Sequence, residues 1–295
     1  MFAELPKLGA GLGFRAPLRS GIFLNRSNID LLEITADHYI DAGPRKMEEL
    51  DLLSEHFPLV PHSLDLSLGS AEGIDDAYLD KLAEVIERVR PPWFSDHICF
   101  TRSGGVSIGH LAPLPFTREA LDVLNQNIEK VKKCIPKPLI LENITYNVRF
   151  PSSEMTEGEF ISTLLGETGC GMLLDVTNLY INSVNLGYDW RDYLDSIPLE
   201  QVVQVHFVGS HRHNGRLIDA HADRTETEIW RVFREVCQRS DIKGAILERD
   251  ENIPDIADLL DEVRTARAIM TDPSESRRSD RRLAENFGVA GIGTN

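Results

Sequence analysis

Short apolar runs alternate along the chain with longer stretches whose apolar residues recur at helical spacing. The short runs, at 10–13, 31–34, 59–62, 93–97, 139–142, 172–175, 202–206 and 245–248, read as buried strands. Between them, 44–57 carries Met47, Leu50, Leu53 and Phe57 on one face, and 75–90 carries Leu79, Leu82, Val85, Ile86 and Val89. The stretches 117–134, 225–237 and 253–269 show the same spacing, with Pro254 read into a first helical turn. Shorter helices are expected at 156–167 and 190–196. Strand and helix alternating eight times predicts an α/β chain folded as a parallel (β/α)8 TIM barrel. A doubly wound open sheet is the competitor, but the expected phosphate turn is missing. Gly9, Gly11 and Gly13 are spaced G-x-G-x-G with no clear helix behind them, and they read as a tight first barrel strand.

A single barrel domain is expected over 1–271. Beyond it, SESRRSDRR is basic and polar and GVAGIGTN is glycine-rich, which predicts a flexible tail or docking segment at 272–295. The 295 residues, 42% apolar and 26% charged, have the balance of an ordinary globular protein. No apolar run approaches the ~20 residues that cross a bilayer, and the N-terminus lacks a signal pattern, so a cytoplasmic, membrane-free protein is expected. Cys99, Cys134, Cys170 and Cys237 form no C-x-x-C pair, which argues against a disulfide framework or a zinc ribbon. A net charge of −16 argues against a nucleic-acid groove and suits a cationic or neutral partner.

The chemistry collects where the predicted strands end, which in a parallel barrel is the active face. Glu33, His62, Asp96-His97, Glu142-Asn143, Asp175, His206 and Glu248 occupy those ends, with Asn178, Asp219 and His221 in the loops that follow. Four of the nine histidines fall in 202–223, of which His211 and His213 lie in a polar loop and are expected to face solvent. Each residue has an ordinary reading alone: Asp175 as a helix cap, Glu248 as a partner of Arg249, a lone His as a structural residue. Together they are expensive to bury unless cations balance them, and Arg249 is the one basic residue at these ends. Imidazoles with carboxylates form the donor set of a divalent metal, and six strong candidates exceed what one ion uses. More than one ion is therefore expected, with Glu142 or another carboxylate as a bridge. The near absence of thiolate favours iron, manganese or zinc over copper(I).

Seven pieces in collinear order carry a resemblance: VPHSLDLSLGS, SDHICF, LENITYN, LLDVTNLYIN, VVQVHFVG, LIDAHAD and ILERDENIP. Over about residues 8–265 the chain resembles the multinuclear non-haem iron-dependent oxidases. That resemblance implies a xylose-isomerase-like barrel holding two or three irons (Fe2+/Fe3+) and using O2 as co-substrate. It implies action on a ribosomally made precursor peptide, usually at a cysteine, with a small partner protein that presents the peptide. By the same resemblance His62, His97 and Glu142 hold one iron, and Glu142, Asp175, His206 and Glu248 the second. By it too, Asn178, Asp219 and His221 are the candidates for a third ion. Asp96 and Asn143, read from their place beside ligand candidates, are expected to orient imidazole or carboxylate. The implied chemistry binds the cysteine thiolate to iron and abstracts a hydrogen from its β-carbon through a ferric superoxide. No catalytic residue beyond the metal site is implied. The chain departs from many members at Thr177, Ser210 and Arg249, and none of these is a di-iron ligand. A divalent-metal sugar isomerase or epimerase, or a zinc hydrolase, draws on the same residue types on the same barrel. A non-catalytic scaffold would have lost strand-end ligands that are intact here.

Overall fold

The computed structural model describes residues 2–272. Its strands are β1 (Gly9–Gly13), β2 (Leu32–Thr35), β3 (Leu59–His62), β4 (Phe94–His97), β5 (Phe100–Ser103), β6 (Val106–Ala112), β7 (Leu139–Glu142), β8 (Gly171–Asp175), β9 (Val202–Phe207), β10 (Gly209–His213), β11 (Arg216–Asp223) and β12 (Gly244–Leu247). Eight of these, β1, β2, β3, β4, β7, β8, β9 and β12, pair in parallel in that order, and β12 closes on β1. The predicted parallel (β/α)8 barrel is the observed fold, with all eight barrel strands where the apolar runs lie. The other four make two antiparallel hairpins, β5–β6 and β10–β11, which leave the barrel after β4 and β9.

The helices are α1 (Arg19–Leu24), α2 (Pro44–His56), α3 (Asp76–Val89), α4 (Arg118–Cys134), α5 (Glu157–Thr168), α6 (Val176–Leu186), α7 (Trp190–Ser196), α8 (Thr227–Arg239) and α9 (Ile256–Thr271). Their ends follow side-chain chemistry. Asp75 accepts from Ala77 N and Tyr78 N to start α3, and Thr156 and Glu159 form a reciprocal capping box at α5. Three expectations need correction. Pro254 lies ahead of α9, not in its first turn, because Asp255 takes the N-cap position. Helices α1 and α6 fall outside the predicted helical stretches. The stretch around His211 and His213, beyond the predicted 202–206 strand, is not a polar loop but the β10–β11 hairpin. The expected tail, apart from Asp272, lies outside the described residues.

Inside the barrel, period-two alternation stacks the side chains in layers. Leu31, Val60, Trp93, Ile140, Leu173, Val203 and Ile246 form a closed apolar layer, with Phe2, Leu5 and Leu8 packed beneath it. Two residues further along most of these strands the inward position changes character: Glu33, His62, Ser95, Glu142, Asp175 and Glu248. The apolar layer is the floor on which the site stands. Close packing of β1 on the β1–β2 side demands Gly11, where a Cβ would lie 1.9 Å from the Leu31 carbonyl oxygen. No helix among the described residues is long and apolar enough to cross a membrane.

Candidate metal centre

The carboxylate of Glu142, at the end of β7, lies between two sets of donors. Its Oε2 is 3.4 Å from His62 Nε2 and 3.4 Å from His97 Nε2. Its Oε1 is 3.2 Å from His206 Nδ1, which in turn is 3.1 Å from Glu248 Oε2. Two donors each ~2.1 Å from one ion stand about 3.0–3.4 Å apart at octahedral or tetrahedral angles, so these separations suit ligands converging on a shared centre. His62, His97 and Glu142 offer ligand atoms within 4.8 Å of one another, as do Glu142, Asp175, His206 and Glu248. All six residues are buried.

The unmet hydrogen-bonding capacity of this cluster is an observation that fits a cation. Glu142 Oε2 and Asp175 Oδ2 are buried without a hydrogen-bond partner, as is His97 Nδ1. Asp175 has two tasks: Oδ1 caps α6 by accepting from Asn178 N at 2.7 Å, and Oδ2 is left over. Burial lifts the Glu142 carboxyl to about 7 and pushes Asp175 well above the carboxylate range, while it lowers His97 to about 4. Burial also works against protonating His206, but the carboxylates of Glu33, Glu142 and Glu248 outweigh it and hold this imidazole well above its ordinary value. An excess of deep carboxylate over cation is what divalent ions neutralise.

Each of two candidate ligand rings is aimed by a partner on its other nitrogen. His62 Nδ1 is 2.8 Å from Ser95 Oγ, which leaves Nε2 for the centre. His206 Nε2 is 2.9 Å from Glu33 Oε2, which leaves Nδ1. Glu33 is held in turn by Gln204 Nε2 at 2.6 Å, and Trp93 Nε1 donates to Gln204 Oε1 at 2.8 Å. Such carboxylate–imidazole pairs fix tautomer and raise ligand basicity.

The residues expected to orient the ligands act differently from the sequence reading. Asp96 faces away from the barrel interior and accepts from Ser63 Oγ, Leu66 N and His97 N, tying the β3 loop to β4. Asn143 brackets the backbone of Asp175, donating to its carbonyl at 3.0 Å and accepting from its N–H at 2.9 Å. Both hold backbone rather than imidazole. The orienting groups include Ser95 and Gln204, which sit two residues before His97 and His206, and strand alternation was the available signal.

Of the three residues assigned to a third ion, Asp219 and His221 are in contact, and all three border one cavity. Asn178 lies in α6, with Nδ2 donating to Asn143 O and Oδ1 buried and unpartnered. Asp219 and His221 lie in β11, the latter at φ +48°, a strained backbone for a histidine. His221 Nε2 is 2.8 Å from Asp219 Oδ1, and Nδ1 is 3.0 Å from Asp250 Oδ2 and 3.8 Å from Glu248 Oε2. Among histidines and carboxylates, the ligand atoms that draw together here are those of His221, Glu248 and Asp250, so Asp250 was missed. A second correction concerns cations. Arg15 reaches the mouth from the loop after β1, with Nε 2.5 Å from Asp250 Oδ1 and Nη2 3.8 Å from Glu248 Oε1. Arg249 instead turns to Glu262, 3.2 Å away. The protein thus supplies an arginine at the rim, but no lysine or arginine pairs with Glu142 among the described residues. His211 is exposed as expected and pairs with Asp223, and His213 is exposed too.

Above the ligands opens a cavity of about 590 Å3, bordered by Leu64, His110, Ile144, Asn178 and His221 as well as the donors. It has room for a side chain and the backbone that carries it.

Residues 9–271 match the family described as RiPP precursor modification enzyme MbnB/TglH/ChrH. Among curated relatives, a UPF0276 protein of Caulobacter vibrioides is 34% identical over 261 residues, covering 88% of this chain and 93% of its own. One of Rhizorhabdus wittichii is 36% identical over 260 residues, covering 87% and 93%. Among solved structures, a xylose isomerase domain protein from Planctomyces limnophilus aligns at TM-score 0.58 and 11% identity, covering 92% of this chain and 99% of its own. Endonuclease IV from Thermus thermophilus aligns at TM-score 0.56 and 16% identity, covering 88% and 98%. At such identities these structures speak to the fold, a xylose-isomerase-like TIM barrel. The chain belongs to the MbnB/TglH/ChrH family of enzymes that modify RiPP precursor peptides, the family its seven motifs resemble.

Proposed function

We propose that this enzyme is a multinuclear iron-dependent oxidase that uses O2 to modify its precursor peptide, at a cysteine, with a small partner protein presenting the peptide. The observation that carries this reading is the Glu142 carboxylate, which faces one donor set with each oxygen. On this reading His62, His97 and Glu142 hold one ion, and Glu142, Asp175, His206 and Glu248 the next. His221 and Asp250, with Glu248, are the places for a third. Iron supplies the redox capacity by which dioxygen oxidises an otherwise inert C–H bond, and an affinity for thiolate.

The rest is the work of the protein. Ser95 and Glu33 hold the His62 and His206 rings in the ligating tautomer, and Asn143 and Asp96 fix the backbone beneath Asp175 and His97. The apolar floor closes the barrel from below, and the cavity at the mouth opens the centre to substrate and solvent. Exposed Val106 and Ile108 on β6 and Ile218 on β11 give the rim apolar footholds suited to a peptide and a presenting protein.

Elemental analysis of anaerobically purified protein tests the metal assignment. Two or more irons per chain, falling in His62→Ala and Glu142→Ala, support it. One zinc or manganese per chain in active protein sinks it.

A further inference from the structure

The 143–156 loop has a cavity on either side. Ile144 and Thr145 border the metal-centre cavity, while Tyr146 and Val148 line a second one of about 470 Å3 between this loop, the first turn of α5 and α7. The second cavity is walled by aromatic rings. Phe116 and Tyr146 meet edge to face with centroids 5.7 Å apart at 82°, and Tyr188 and Tyr193 complete the box. Glu157 lines it, accepting from the Tyr146 hydroxyl at 3.0 Å, and no cation among the described residues pairs with it. Arg149, at the rim, turns to the Leu186 carbonyl. Burial lifts the Glu157 carboxyl to about 7. The hydroxyls of Tyr188 and Tyr193 are buried with no partner, and Tyr193 is only 5% exposed. Native folds rarely leave two such groups unmet beside an unpaired carboxylate. Nothing in the metal centre uses them.

We propose that this cavity takes the cationic side chain of a lysine or arginine of the precursor peptide, its stem along Phe116 and Val148 and its charged head among Glu157 and the tyrosines. Aromatic faces and a desolvated carboxylate together select a cation, and hydroxyl oxygens accept its remaining N–H groups. Apolar walls suit the methylene stem. The net charge of −16 favours basic peptide segments in encounter. Covalent geometry sets the register: Tyr146 is four residues beyond Glu142, so their Cα atoms lie within about 14 Å. An extended peptide spans that in about four residues or fewer, which places the basic residue no more than about six positions from the one modified. The proposal rests on the peptide as substrate but not on iron.

Calorimetric titration of the full-length protein tests it with four probes: Nα-acetyl-lysine methylamide, its arginine counterpart, the uncharged norleucine counterpart, and spermidine. The lysine or arginine probe is expected to bind at least tenfold more tightly than norleucine. Glu157→Gln should lose that preference and Tyr193→Phe should weaken it several-fold, with metal content unchanged in both. His62→Ala should bind the probes as the parent does, so that failure of the metal assignment and failure of this site are read separately. Equal binding of norleucine, or no binding of any probe, overturns the proposal. Spermidine binding tenfold more tightly than lysine also overturns it, by identifying a free polyamine as the ligand. The comparison of lysine with norleucine on the unaltered protein decides the matter even if a variant fails to fold.

Discussion

At the scale of single residues, function depends on how each side chain divides its polar atoms. Asp175 spends one oxygen on a helix cap and leaves the other buried without a hydrogen bond, and His62 and His206 each give one nitrogen to an orienting partner. Glu33→Gln and Ser95→Ala should therefore retain the fold and lose about 10–100-fold in metal affinity, measured by competition with a chelator. Unchanged affinity would show that these contacts are incidental. Glu157 gives a prediction about pH. Its folded value of about 7 exceeds the ordinary 4.5, so its contribution to stability is full below 4.5 and is lost as pH rises through 7. Glu157→Gln mimics the protonated form, so relative to the parent it should gain about 1–3 kcal/mol between pH 5 and pH 8. Denaturant melts at the two pH values check this. The candidate ligand positions were legible as His and carboxylate at the ends of apolar runs. Asp96 misled because it adjoins His97 in sequence while alternation turns it to the other face. Arg15 and Asp250 were hidden because loops bring them to the mouth, and no periodicity reports where a loop side chain ends.

At the scale of elements, the barrel strands were legible because each is a short apolar run buried on both faces. The hairpins were missed although their turns are marked. Asn214-Gly215 and Gly104-Gly105 all have positive φ, the signature of tight two-residue hairpins. Helix α6 was missed because it begins directly after β8 with a metal-ligand candidate as its cap, leaving no loop to announce it. Element ends also set stability. Thr156→Ala removes the hydroxyl half of the capping box at α5, leaving Glu159 on the backbone N–H of position 156, and should cost about 1 kcal/mol, a melting-temperature drop of roughly 2–4 °C. Gly11→Ala should cost at least ~1–3 kcal/mol, since its Cβ meets backbone rather than a movable side chain. A calorimetric melt of either variant at parental temperature would refute the corresponding packing argument.

At the scale of the whole molecule, the barrel is a polar pit on an apolar floor. On the proposed reading metal ions neutralise the pit's buried carboxylates, which links metal binding to the fold. Ions held at a thousandfold over their dissociation constant add about 4 kcal/mol, and chelation should lower the melting temperature accordingly. The central claim is that Glu142 joins two irons. The most direct measurement is Mössbauer spectroscopy, with parallel electron paramagnetic resonance, on anaerobically iron-loaded protein and its Glu142→Gln variant. The account predicts a magnetically coupled pair of irons in the parent and its loss in the variant. Uncoupled single iron sites in the parent, or coupling that survives in Glu142→Gln, would contradict it.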